Sequence, residues 1–252
     1  MPSTPRLRHA AAIPAVVLSF LPSLQAPARA ADTAELPPFS TAPVGAPPAA
    51  WKFATLPHKV PTQFTVAELD GEKVLKVEAQ ESYGNIVVSM KAAPTGQGHL
   101  SWRWRVDKLV ENADIKVRSG DDSPAKICLF FAFDESRLSL AQRTKLSLAR
   151  SSLGENVPAE SVCYVWDNKV AAGTSLENAF TPRIRMIVLE SGTEKLGRWV
   201  EEKRDFAADY ARLFADESGG QIPEISGVAI SADADNTHGH SLAYFGDVSL
   251  VP

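Results

Sequence analysis

From Thr62 onward, apolar and polar residues alternate with a period of two over short runs separated by turn residues, the pattern of half-buried antiparallel strands. TQFTVAEL (62–69) sets Phe64 and Val66 on one face, and Asp70-Gly71 is a hairpin-type turn leading into KVLKVEA (73–79). NIVVSMKA (85–92) follows. In HLSWRWRVDKL (99–109), Leu100, Trp102, Trp104 and Val106 share one face, and Ser101, Arg103, Arg105 and Asp107 the other. Ala125–Phe133 is almost wholly apolar and predicts a strand buried on both faces. SVCYVWDN (161–168) and RIRMIVLESG (183–192) are further strands, the second with Ile184, Met186 and Val188 inward and Arg183 and Arg185 outward. Two closing runs, Val228–Ala232 and Leu242–Leu250, read as a final hairpin around a polar loop, and Gly246-Asp247 interrupts the second.

Two stretches depart from this rhythm. Residues 137–150 place Leu138, Ala141, Leu146 and Ala149 near one side of a helix. Residues 203–215 repeat Phe206, Tyr210 and Leu213 at helical spacing, with Asp205 as N-cap or first-turn acid. Nine to eleven short strands with two helical insertions, not alternating regularly with helices, predict a mainly all-β fold, a two-sheet jelly-roll β-sandwich; a closed barrel of lipocalin type is the other architecture considered.

The N-terminus carries a different signal. Arg6, Arg8 and His9 precede an apolar stretch, Ala10–Leu24, and then Ala28-Arg29-Ala30, the three-part pattern of a cleavable signal peptide over residues 1–30. The apolar stretch is short and broken by Pro14 and Pro22, so it does not suit a membrane span. The expected location is therefore the periplasm or the exterior, with no membrane span in the mature chain. Residues 31–50, rich in Pro and Ala, read as a tether, with Leu36–Phe39 as a candidate edge strand, and residues 51–252 as one sandwich domain. A net charge of −4 without a basic run argues against a nucleic-acid partner. Two readings of Cys128 and Cys163 stand in an oxidising compartment: a bridge between neighbouring strands, or two packed thiols.

No nucleophile elbow, zinc HExxH, phosphate-cradling glycine loop or dinucleotide fingerprint is found, and no catalytic residue is assigned. The hard oxygens of Asp233, Asp235 and Asn236 suit calcium, although Asx-turn chemistry accounts for the same residues without a metal. Arg103, Arg105, Arg183 and Arg185 offer guanidinium forks to Asp121, Asp122, Asp167 or Asp205, or to an anionic or hydroxyl-rich ligand. Trp166 and Trp199 are candidate stacking platforms for a sugar, and Asn168, Asp235 and Asn236 complete the set of candidate ligand-binding residues.

The ordered set LSWRWRVD, GDDSPAKICLFFAF, YVWDN, RIRMIVLESG, RWVEEKRDFAADYARLF and ISADADNT…AYFGDVSL resembles a family of exported bacterial proteins known only as a domain of unknown function, over about Trp51 to Leu250. That resemblance implies a single periplasmic domain and no known activity. More distantly, AYFGDVSL is similar to the last strand of jelly-roll carbohydrate-binding modules, which implies a structural calcium at Asp247, although the N-terminal acidic partner usual there is not evident near Phe39. Three functions follow for test: a non-catalytic module for a saccharide or cell-envelope glycoconjugate; a carbohydrate-active enzyme using acids among Asp121, Asp122, Asp167, Asp233 and Asp235; or an envelope scaffold.

Overall fold

The computed structural model describes Met1 and residues 36–90, 98–153 and 158–251. Apart from Met1, the expected signal peptide lies outside these residues. In chain order the strands are β1 (Lys52–Ala54), β2 (Val60–Pro61), β3 (Gln63–Leu69), β4 (Glu72–Gln80), β5 (Ser82–Ser89), β6 (His99–Lys108), β7 (Ser123–Phe131), β8 (Glu160–Asp167), β9 (Ser175–Glu177), β10 (Ile184–Ser191), β11 (Val200–Asp205), β12 (Ile225–Asp233), β13 (His240–Phe245) and β14 (Ser249–Val251). Helix α1 (Leu140–Leu153) lies between β7 and β8, and α2 (Phe206–Leu213) follows β11. The strands form an eight-stranded sheet, ordered β1-β5-β12-β7-β8-β10-β9 with β2 beside β5, and a six-stranded sheet, ordered β11-β6-β13-β4-β3 with β14 beside β6. This is the jelly-roll sandwich that the alternation predicts.

The two sheets bury one main core. Leu100, Trp102, Trp104 and Val106 of β6 meet Ile127, Leu129, Tyr164 and Trp166 of β7 and β8. Trp104 is its hub, with its ring 5.5 Å from Trp102, 5.8 Å from Trp166 and 6.1 Å from Phe245. A second apolar cluster covers the other face of the large sheet, where Cys128, Cys163, Val165, Met186 and Val188 pack under Ile115 and Val170. A strand between two such clusters buries both faces, which explains why Ala125–Phe131 of β7 is apolar at every position but Lys126. Cys128 stands directly opposite Cys163 across the β7–β8 pair, and the two form a disulfide. Of the two readings of these cysteines, the bridge is therefore the one realised.

Several expectations need correction. β12 and β13 do not form a hairpin: β12 lies between β5 and β7 in the large sheet, β13 between β6 and β4 in the small one. Residues 234–239 thus carry the chain from one sheet to the other, and alternation alone does not distinguish a crossing from a turn. β4 and β5 change sheets at the neighbouring corner, where Glu81 adopts φ 46°. The two corners are tied by Glu81 N–H to the Gly239 carbonyl and Ala234 N–H to the Ser82 carbonyl, each at 2.9 Å. The helix expected from residue 203 begins at Phe206, because Val200–Asp205 pairs with β6 as a charged edge strand. Asp205 does cap α2, accepting from Ala208 N–H at 2.9 Å. Residues 36–42, read as part of a tether, pack against the domain: Leu36, Phe39 and Ala42 are buried in the main core, and no strand forms at Leu36–Phe39. The turn at Asp70-Gly71 is as read, with φ of 56° and 83° suited to a two-residue hairpin.

Candidate functional site

The conspicuous acids of the sequence prove to be internal fastenings. Asp122 is fully buried and accepts four hydrogen bonds from the crossing loop: from Asn236 N–H (3.1 Å) and Nδ2 (3.2 Å), and from Thr237 N–H (2.7 Å) and Oγ1 (2.6 Å). Asn236 Nδ2 also donates to the Asp121 carbonyl, and the Asp121 carboxylate accepts from Asn178 at 2.6 Å. The DADN loop therefore faces the Asp121-Asp122 loop, and its side chains bond across to distant segments instead of to their own neighbouring backbone, so the Asx-turn account of these residues is replaced by a long-range polar network. Asp167 is fully buried and caps its own turn through Lys169 and Val170 N–H, while Asn168 donates to the Val110 carbonyl. Trp166 is fully buried in the core and offers no ring to a ligand.

The four residues proposed for calcium do not converge. Asp247 follows β13 and Asp233, Asp235 and Asn236 precede it, so they sit at opposite ends of that strand. Asp233 accepts from Ser123 N–H and from the Lys126 ammonium, each at 2.7 Å. Burial opposes the charge on Lys126, yet Asp233 and Asp121 more than offset it and hold the ammonium above its ordinary value. Lys126 thus supplies internally the positive charge that a metal would bring. Asp235 pairs with Lys59. Asp247 accepts from Phe39 N–H (2.6 Å), Ser40 N–H (3.0 Å) and the Ser40 hydroxyl, so both of its carboxylate oxygens are already met by hydrogen-bond donors. Among the described residues, no three acidic, histidine or cysteine side chains gather at metal-binding distance.

The arginines divide between the sheets. Arg183 and Arg185 do not point outward: Arg185 shares the face of Ile187, which belongs to the main core, and is buried at the end of α2. It binds Asp216 (2.7 Å) and Glu217 (2.8 Å), with its guanidinium 4.2 Å from the Phe214 ring centre. Arg183 pairs with Glu160 and Glu217. Two reciprocal triads pin α2 to β8. In one, Tyr164 of β8 donates to Asp209 of α2 at 3.0 Å, and Arg204 closes it at 2.8 Å; in the other, Tyr210 of α2 donates to Glu160 of β8, closed by Arg183. The aromatic spacing of α2 was legible in the sequence; its polar partners Asp209 and Glu160 carried no comparable signal.

Arg103 and Arg105 do face outward from the small sheet. Arg105 is held by Asp107 (2.6 Å) and Asp70 (3.1 Å). Arg103 lies beside an interruption in the last strand. β13 and β14 run along the same edge of β6, and Gly246–Val248 loops out between them, with Gly246 N–H donating to the Arg103 carbonyl at 2.9 Å. A Cβ on Gly246 would lie 2.7 Å from both Cγ and Nε of Arg103, so only glycine leaves the arginine its path. The guanidinium pairs with Glu72 and lies 4.7 Å from the ring centre of half-buried Trp199.

Where this interruption, the β3–β4 turn and Ser40 meet, a groove of about 640 Å³ opens, lined among others by Glu68, Glu72, Lys73, Arg103, Glu201 and Asp247. Of the residues singled out from sequence, it gathers Arg103 and Asp247 alone. The Asp70-Gly71 turn and the Gly246 break were the two sequence marks of its borders; the exposed acids of edge strands gave none. On the core side of β11, Glu202 is pushed up to about 7 by burial and then by the nearby Glu190 carboxylate.

Among the described residues, no helix is long and apolar enough to cross a membrane. No curated protein matches the chain. Similar solved structures include the xyloglucanase domain of NopAA, a type three effector from Sinorhizobium fredii, at 8% identity and a TM-score of 0.43, covering 81% of this chain and 98% of that one. Endoglucanase 3 of family GH12 from Trichoderma harzianum matches at 9% identity and a TM-score of 0.42, covering 82% and 92%. The family 12 xyloglucanase from Bacillus licheniformis matches at 9% identity and a TM-score of 0.41, covering 81% and 94%. Residues 49–249 match a family model, and the chain belongs to that family, described as "Protein of unknown function (DUF3047)".

Proposed function

We propose that this protein is a non-catalytic binding module for a saccharide or cell-envelope glycoconjugate, acting in the periplasm or outside the cell. The observation that carries the reading is the groove beside the β13–β14 interruption. Its walls combine carboxylates, a guanidinium, an ammonium and the hydroxyls of Ser40, Ser101 and Ser249. Such a dense mixture of donors and acceptors suits a polyhydroxylated ligand, and Arg103 is already set in place by Gly246, Glu72 and Trp199. The leader pattern of residues 1–30 supports the compartment. The carboxylates first considered for hydrolysis are tied up inside the fold, as described for Asp122, Asp167 and Asp233.

The test is a glycan array probed with the folded protein, with mass spectrometry of the same wells. Retention of a glycan without cleavage, lost in Arg103→Ala and in Trp199→Ala, is the expected result. Cleaved products would replace the reading with an enzymatic one, and silence on every glycan would replace it with a scaffold.

A further inference from the structure

The charges around the groove are not balanced, and most of the balancing pairs are already spent. Arg103 is engaged by Glu72 and by the face of Trp199. The Asp247 carboxylate is engaged by two backbone N–H groups and the Ser40 hydroxyl. That leaves Glu68, Glu201 and Lys73 to meet a ligand, with Glu68 and Glu201 exposed and Lys73 half-buried. Glu68 stands directly opposite Lys73 in the β3–β4 pairing, and Glu201 directly opposite Arg103 in the β11–β6 pairing. Counted over the whole lining, four carboxylates (Glu68, Glu72, Glu201, Asp247) face two cations (Lys73, Arg103), an excess of two negative charges.

Resting on the saccharide reading above, the geometry points to an amino sugar as the ligand class: a glycan with free, protonated amines, in preference to its N-acetylated, neutral or uronic counterparts. The placement matters as much as the sum. Arg103 is the group that would recognise a uronate or a phosphate, and its fork is closed on Glu72 while its plane is stacked on Trp199, so an anion would have to displace Glu72 to reach it. The acids at the groove mouth carry no such commitment. A ligand ammonium beside Glu201 gains a charge-assisted hydrogen bond, and its ring hydroxyls find Ser101 and Ser249 in the same lining. An acetylated nitrogen keeps the hydroxyl contacts and loses the charge.

The experiment is calorimetric titration of the folded protein at mildly acidic pH with four oligosaccharides of equal length: glucosamine, N-acetylglucosamine, glucose and galacturonate oligomers. Each is repeated on Glu201→Gln and Lys73→Gln, both at surface positions of β-strands. The expected order has the glucosamine oligomer tightest and the galacturonate oligomer weakest. Glu201→Gln weakens glucosamine binding about fivefold, the scale of one partly exposed charge pair, and leaves N-acetylglucosamine binding within about twofold. Lys73→Gln moves glucosamine affinity in the opposite direction. A merely structural role for these residues would not give opposite signs at unchanged melting temperature. Equal or tighter binding of the acetylated or uronic oligomers, or an order unmoved by Glu201→Gln, overturns the amino-sugar inference while leaving a saccharide module in place. Failure of all four to bind overturns the saccharide reading and the inference with it.

Discussion

Replacing Asp122 with alanine tests whether the crossing between the sheets is held by hydrogen bonds alone. The side chain is fully buried, and its two oxygens accept four hydrogen bonds from Asn236 and Thr237. A bond to a charged group contributes about 1.5–3 kcal/mol, and a donor left buried without a partner costs about 1–3 kcal/mol. The four bonds share one carboxylate and are not additive, and the Thr237 hydroxyl and Asn236 amide can turn toward water. The two backbone N–H groups have less freedom, so we expect a loss of about 3–4 kcal/mol. At about 2–4 °C per kcal/mol for a domain of this size, the melting temperature falls by about 10 °C. Urea unfolding followed by tryptophan fluorescence gives the free energy, and amide exchange should show Asn236, Thr237 and Glu81 losing protection first, since Glu81 N–H is bonded to this loop at Gly239. Asp122→Asn should lose less, because it keeps one acceptor oxygen. A loss below about 1 kcal/mol for Asp122→Ala, with the loop still protected, would refute the reasoning.

Four further outcomes are expected. Addition of calcium or of a chelator leaves the melting temperature unchanged, because Lys126 and backbone donors occupy the oxygens of Asp233 and Asp247; a calcium-dependent rise in calorimetry would contradict this. Changing both Cys128 and Cys163 to alanine costs about 3–4 kcal/mol in chemical unfolding, from the chain entropy of a link spanning 35 residues. Glu202 has its folded value raised from 4.5 to about 7, so the folded state binds its proton more tightly than the unfolded chain does; stability therefore falls as pH rises through that window, and Glu202→Gln should flatten the slope in melts taken across it. Gly246→Ala displaces Arg103 from Trp199, readable as a change in tryptophan emission and a loss of glycan binding with little change in fold, since the contact that must give way is with a flexible side chain.

Alternation made most of the sandwich legible. The β6 pattern correctly separated Trp102 and Trp104 from Arg103 and Arg105, because one face of that strand meets the core and the other meets solvent. The same logic failed at β10. There both faces are buried, one against the main core and one against the disulfide-bearing cluster, and Arg185 is accommodated inside by Asp216 and Glu217 from a distant loop. Edge strand β11 escaped notice because Val200–Asp205 is almost entirely charged, and charge carries no period-two apolar signal. The candidate site was less legible still. Asp121, Asp122, Asp167 and Asp233 attracted attention as acids, yet their roles depend on donors 2 to 115 residues away, such as Lys169 N–H for Asp167 and Thr237 for Asp122. The groove is assembled from a turn, an interrupted strand and two edges, and no single stretch of sequence contains it.

The positions of β12 and β13 also govern when the domain can exist. β12 is an inner strand of the large sheet, joining β5 to β7, and β13 is an inner strand of the small sheet, joining β6 to β4. A chain delivered from its N-terminus therefore holds each sheet in two parts separated by a gap until the residues up to Phe245 have emerged. Even the N-terminal segment at Phe39 and Ser40 waits for Asp247, more than two hundred residues later. Closure of the two layers thus waits for β12 and β13, the last inner strands to emerge, and until then the paired strands on either side of each gap leave their core faces and inner edges uncovered.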